Sequence, residues 1–179
     1  MQYSVHAPTP FIRDRADQLL PGWSVPIASV LIVMQRSRVN LLQHTEATEA
    51  EKRRLRSRFL LFGCQVAQYL GEMGYVAEAF DPRTGQPFSS RPGSLQLDDV
   101  AIARSLLGYP TEQAGACSLI CHPLWGEAVY PSTLIASAPP AITTLAADRA
   151  DRAWQRGQMP AIVNRDSLKT NRSLVGALS

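Results

Sequence analysis

The sequence has no unbroken run of about 18 apolar residues, and no charged segment at its start leads into an apolar one. Neither a membrane span nor a secretory signal can therefore be read from it, and a soluble, cytoplasmic protein is expected. Cysteine is scarce. Cys64, Cys117 and Cys121 are an odd number with no disulfide-framework spacing, which predicts reduced thiols. HExxH, CxxC, GxSxG and the glycine motifs that cradle phosphates are all missing, so motif-based catalysis has little support. No internal repeat is visible.

What is present suits one domain. A chain of 179 residues, 45% hydrophobic and 18% charged, can bury a single sizeable core. We place that domain at residues 1–157. Residues 158–179, weakly periodic and rich in Ser, Asn and Arg, are expected to be a loosely held tail. The mild basic excess, 18 Lys and Arg against 15 Asp and Glu, concentrates between Glu51 and Arg58. Leu55, Phe59, Phe62, Val66, Leu70 and Met73 recur there at spacings of three and four, the pattern of an amphipathic helix with its arginines on the solvated side. Without interleaved aromatics or a nucleic-acid motif, no nucleic-acid partner is expected.

Along the chain, strand and helix signals mix. Tyr3 to Ala7 alternates as a strand, and Pro10 to Leu20 reads as one short helix stopped by Pro21-Gly22. Ile27 to Gln35 is almost wholly apolar, as in a strand buried on both faces. Thr48 and Glu51 form a capping-box pattern and Gly74 a C-terminal stop, which predicts a helix from about Glu49 to Met73. Its second row, Leu60, Cys64, Ala67 and Gly71 with Gly63 alongside, is small enough for close packing, and Cys64 is read as a packing residue. Val76 to Phe80 is a strand, Asp81 to Gly85 a turn and Ser89 to Gln96 a loop. Asp98 caps a helix through Leu107 that Gly108 closes. Ala128 to Ala136 is a strand, and Ala141 to Arg156 the last helix. This mixture predicts an α+β fold with an antiparallel sheet flanked by helices.

The segment Gly115-Ala116-Cys117-Ser118-Leu119-Ile120-Cys121-His122-Pro123-Leu124-Trp125-Gly126 holds two of the three cysteines and one of the three histidines. If Cys117 to His122 is a strand, Cys121 and His122 point apart, and the two cysteines lie about 13 Å apart, too far for one zinc or a disulfide. His122, before Pro123, is expected to be a hydrogen-bonded, partly buried imidazole at a strand end. Cys121, mid-strand, is read as inert core. Cys117 follows Gln113-Ala114-Gly115-Ala116, read as flexible, so it is the thiol expected to be exposed and able to bind a soft metal.

Set in order, several elements resemble one family. They are Ser4-Val5-His6-Ala7 leading to Leu19-Leu20-Pro21; Val33-Met34-Gln35; the helix with Glu49, Glu51, Leu55 and Phe59; Glu72-Met73-Gly74-Tyr75; Asp81-Pro82 with Gly85 and Phe88; Leu107-Gly108-Tyr109; and Gly115-Ala116-Cys117 through His122-Pro123-Leu124-Trp125-Gly126. Together they resemble the CblD family, the methylmalonic aciduria and homocystinuria type D proteins of intracellular cobalamin (vitamin B12) trafficking. The resemblance implies a fold like that of flavin nitroreductases, with no flavin bound and no catalysis. It implies an adaptor that docks with the type C cobalamin-processing protein and directs the cofactor toward methionine synthase or methylmalonyl-CoA mutase. The protein alone is expected to bind neither flavin nor cobalamin tightly, and to meet cobalamin in the partner's complex. The family's cobalt-contacting cysteine belongs to an adjacent pair after the glycine. Here the first of the pair is Ala116 and the second Cys117, so the implied contact residues are Cys117 with Gly115 and Ala116, followed by His122 and Trp125. Animal members carry an extension for mitochondrial delivery, and a chain beginning at the domain fits the cytosolic form. Two other readings stay open: a flavin enzyme whose phosphate pocket draws on Arg36, Arg38, Arg83 and Arg91, and a structural module dimerising through the small-residue helix row.

Overall fold

The computed structural model describes residues 1–43, 45–114 and 117–158, without the side chains of Ala114 and Cys117. The expected tail from 159 onward, and the calls on Gly115 and Ala116, lie outside the described residues.

The strands are β1 (Gln2–His6), β2 (Ser29–Arg36), β3 (Ala77–Asp81), β4 (Gln86–Pro87), β5 (Thr111–Ala114), β6 (Cys117–Ile120) and β7 (Val129–Ala136). The helices are α1 (Pro10–Asp14), α2 (Ala16–Leu19), α3 (Glu46–Glu72), α4 (Asp99–Leu107) and α5 (Pro140–Gln155). Five strands form one sheet in the order β1-β2-β7-β3-β4, every pairing antiparallel. β5 and β6 form a separate two-stranded ribbon. The α+β fold with an antiparallel sheet and flanking helices is thus what the sequence predicts. Among the described residues, no helix is long and apolar enough to cross a membrane.

β2 shows why its sequence reads as apolar throughout. Leu31 and Val33 face α3 and α5, whereas Val30, Ile32 and Met34 face α1, α2, α4 and the ribbon, so the sheet is buried on both sides. Its polar ends tie helices down. The Ser29 and Thr143 hydroxyls meet at 2.7 Å, fixing α5, and the Gln35 side-chain amide donates to the Leu55 carbonyl at 2.8 Å, fixing α3. Gly63 lets α3 approach the sheet, because a Cβ there would lie 3.0 Å from the Ala79 Cβ. Cys64 beside it is half-buried, and burial pushes its thiol up to about 12.

Three expectations are corrected. The stretch from Pro10 to Leu20 is two helices, because Arg15 leaves helical geometry, which brings Ile12, Leu19 and Leu20 all into the core. The cap of α3 is Thr45, whose hydroxyl accepts the Thr48 amide at 3.2 Å. Glu51, read from the sequence as the capping-box partner of Thr48, is instead buried and held by Arg54 on its own helix and by the segment after β2. Its carboxylate accepts from Arg54 at 2.7 and 2.8 Å and from the Arg38 amide at 2.9 Å, and these bonds hold it down to about 2. Nor do the α3 arginines simply face water. Arg56 makes a bidentate pair with Asp81, both contacts at 2.6 Å, and Arg58 lies 5.3 Å from the centre of the Trp154 ring.

α4 forms as its caps predict. The Asp98 carboxylate accepts the Val100 and Ala101 amides at 2.9 and 3.0 Å, and Gly108 closes the helix at φ 67°. The next residue, Asp99, turns its carboxyl inward beside Thr133 of β7, and Oδ1 finds no hydrogen-bond partner among the described residues. Burial raises this acid to about 7.

Candidate functional site

The distinctive segment folds into two unlike pieces. β6 ends at Ile120, and Cys121 continues its ladder by donating to the Pro110 carbonyl at 2.8 Å. The chain then closes a five-residue turn. The His122 amide donates to the Gly126 carbonyl at 2.9 Å, and the Gly126 amide to the His122 carbonyl at 2.8 Å, with Gly126 at φ 55°. That left-handed conformation favours glycine.

His122 is the keystone of this turn. It is 4% exposed. Its Nδ1 accepts the Leu124 amide at 3.1 Å, which leaves Nε2 as the protonated nitrogen, donating to Gln2 Oε1 at 2.8 Å. Trp125 stacks on the ring at 4.1 Å and 12°, and Tyr109 meets it edge-on at 5.4 Å. Burial lowers the basicity of the ring. With both nitrogens engaged, the imidazole clasps β1, the turn and the segment after α4 together and is not set to move protons. The hydrogen-bonded histidine at a strand end is as expected; Gln2 as its partner has no local signal, because it lies 120 residues away.

Cys121 is corrected. It is not core: it stands half-buried beyond the strand end, on the wall of an open cleft of about 700 Å³. Burial first, and then the carboxylates of Glu112 and Glu127, push its thiol above the ordinary range. Gln113 and Ala114 are not a flexible loop either, but belong to β5, which pairs with Ser118 and Cys117. Cys117 does stand at the first position of its strand. Gly115, Ala116 and the Cys117 side chain lie outside the described residues.

The cleft gathers residues that the sequence scatters. Arg36 and Arg38 form one wall, Trp125 and Cys121 line it, and Glu112 and Glu127 stand at its acidic part. A hydrogen bond with Glu112, with desolvation and the Glu112 charge adding to it, raises Glu127 above its ordinary value. Of the four arginines named for a phosphate pocket, Arg36 and Arg38 meet here, whereas Arg83 and Arg91 do not line the cleft. Leu124, at the tip of the turn, is 75% exposed. Among the described residues no three His, Cys, Asp or Glu side chains converge as a metal site.

Comparison with known proteins gives relatives of one kind. The chain is 25% identical to the human cobalamin trafficking protein CblD (Homo sapiens) over 129 residues, covering 72% of this chain and 44% of that protein. It is 24% identical to the rat protein of that name (Rattus norvegicus) over 127 residues, 71% of this chain and 43% of the relative. The chicken protein (Gallus gallus) is 21% identical over 140 residues, covering 78% and 47%. The chain thus spans less than half the length of the curated relatives it matches. The family model described as "Methylmalonic aciduria and homocystinuria type D protein" matches residues 2–147, the whole sheet and its helices through the first half of α5, and to that family this chain belongs.

Proposed function

We propose that the chain serves intracellular cobalamin trafficking as a non-catalytic adaptor, docking with a type C cobalamin-processing partner and passing the cofactor toward methionine synthase or methylmalonyl-CoA mutase. Membership of the family and the names of its relatives support the trafficking role. The observation that carries the adaptor reading is His122. In the most distinctive element of the chain, the group best suited to acid–base work has both nitrogens committed to holding a turn, while Leu124 at that turn's tip projects into solvent. An element built this way presents a surface and does not perform a reaction. The ribbon beside it begins β6 at Cys117, and a thiolate there suits a polarisable cobalt centre. In this reading the layered α+β fold is that of the flavin nitroreductases, used without flavin.

The test is reconstitution with a type C partner and reduced cobalamin. A complex should form, and a cobalt–sulfur bond should change the visible spectrum in a way lost in Cys117→Ala and kept in Cys121→Ala. A complex whose spectrum is identical in wild type and Cys117→Ala reduces the role to protein-only docking. No complex at all overturns the adaptor reading.

A further inference from the structure

Gln35 and Ser132 are polar residues in the otherwise apolar layer between the sheet and α3. Both are fully buried. Gln35 of β2 shares a face with Leu31 and Val33, and Ser132 of β7 shares a face with Leu134 and Ala136, so both side chains are on the α3 side of the sheet. The sense of the Gln35 amide is fixed. Its nitrogen donates to the Leu55 carbonyl at 2.8 Å, and a carbonyl can only accept, so the end left over is Oε1. Neither Gln35 Oε1 nor the Ser132 hydroxyl finds a hydrogen-bond partner among the described residues. A buried amide oxygen or hydroxyl left alone carries its full desolvation cost, and native structures nearly always satisfy such groups.

The strand register brings the two together. Gln35 pairs with Tyr130 and Val33 with Ser132, so Gln35 and Ser132 are diagonal neighbours on one face of an antiparallel pair. Such neighbours are about 7–8 Å apart, somewhat less at Cβ. The two oxygens form no direct bond, so their gap exceeds one hydrogen bond. Two hydrogen bonds in series through a single water span about 5.5 Å, which falls between these limits.

We propose that one water molecule is bound at this point between α3 and the sheet, donating to Gln35 Oε1 and bridging to the Ser132 hydroxyl. The chemistry selects water over a larger or charged ligand. Oε1 can only accept, the hydroxyl donates or accepts, and the adjoining Val33 and Leu55 are buried and apolar. The bridge completes a chain of Leu55 carbonyl, Gln35 amide, water and Ser132 hydroxyl that ties α3, β2 and β7 to one another. It does not rest on the trafficking reading.

A high-resolution crystal structure of the full chain should show one ordered water within about 2.7–3.0 Å of both oxygens. In solution, water–protein NOE spectra should show a cross-peak from a long-lived water to the Gln35 side-chain amide protons. That cross-peak should be lost or fall severalfold in Ser132→Ala and stay unchanged in Thr133→Val, which alters the opposite face of the same strand. A direct bond between Gln35 and Ser132, a structure in which no water meets both oxygens, a cross-peak of full strength in Ser132→Ala, or its equal loss in Thr133→Val overturns the site. Ser132→Ala removes one hydroxyl and should fold; should it not, the wild-type crystal structure decides alone.

Discussion

The sheet with α3 and α5 and the ribbon with its His122–Gly126 turn are held by different physics. In the first, Phe59, Phe62, Leu31 and Leu134 are fully buried, and bonds such as the Gln35 amide to the Leu55 carbonyl and Arg56 to Asp81 tie helix to sheet. In the second, one imidazole with two hydrogen bonds and two ring contacts does most of the fastening, and the neighbouring cleft leaves two arginines and a thiol accessible. A core secured by area resists local change. A turn secured by one side chain can be remodelled without unfolding the rest.

The largest effect that tests this contrast is Phe59→Ala. Phe59 is wholly buried between α3 and the sheet, and its truncation should cost about 3–5 kcal/mol by urea denaturation. A loss comparable to that of a surface substitution would mean that the α3 layer is not the structural core.

Asp99 comes next because it joins the regions: α4 rests on β7 through it and runs on to Tyr109, which touches His122. Its folded value near 7 exceeds the ordinary 3.8, chiefly through burial, with Asp98 and Asp81 adding repulsion and Thr133 opposing it. Between those values the folded state holds more protons than the unfolded chain. The stabilising contribution is therefore complete below about pH 3.8 and lost as pH rises through 7. Asp99→Asn should flatten this slope and exceed wild type above pH 7 by at most about 4 kcal/mol. Parallel denaturation curves at pH 6 and 8.5 that keep one constant difference between the two proteins would show that the carboxyl does not titrate there.

How much of this was legible depends on the range of each interaction. α4 could be read to the residue, because Asp98 and Gly108 act on their own helix ends. β2 could be read because burial on both faces leaves an apolar run. The α3 cap was misplaced by three residues because Thr48 and Glu51 imitate a box whose glutamate is claimed by Arg54 and the Arg38 amide. Gln113 and Ala114 read as flexible because they carry no strand signal; their place in β5 comes from pairing with β6. Of the site, the sequence pointed to His122 and Trp125. It could not show that Cys121 faces a cleft, since that follows from where β6 stops.

A smaller effect belongs to the turn itself. His122→Phe keeps an aromatic ring but leaves Gln2 and the Leu124 amide without their partner, at a cost of about 1–3 kcal/mol. The loss should concentrate in amide exchange at the turn, and the near-ultraviolet signal of Trp125 should change, while α3 amides stay protected. In the wild type, burial depresses this histidine, so the unfolded chain takes up a proton that the folded ring resists. The contribution of His122 is present above its ordinary range near 6.5 and declines as pH falls below it. Uniform loss of protection across α3 and the turn in His122→Phe would mean that the two regions are a single cooperative unit.

The smallest perturbation leaves stability untouched and asks only what a reagent can reach. In a Cys117→Ser background, Cys121 and Cys64 remain, one on the cleft wall and one against the sheet. Both thiols are shifted up, so neither is a ready thiolate at neutral pH, and labelling of each should accelerate as pH rises. Burial is the first cause for both, and they differ in their surroundings. Cys64, half-buried beside Gly63 in the α3 packing, is lifted to about 12 mainly by burial, and a bulky maleimide must wait for the helix to open. Cys121 has the Glu112 and Glu127 carboxylates beside it in an open cleft, so the reagent reaches it in the folded state. Brief labelling of native protein followed by peptide mass spectrometry should place the label on Cys121 first. Glu112→Gln should then speed it, because removing a negative charge beside the thiol eases its ionisation, with Cys64 unaffected. Label on Cys64 at the same rate as on Cys121 would mean that the α3 layer opens as readily as the cleft, and the contrast between a closed core and an accessible cleft would fail at the level of chemistry.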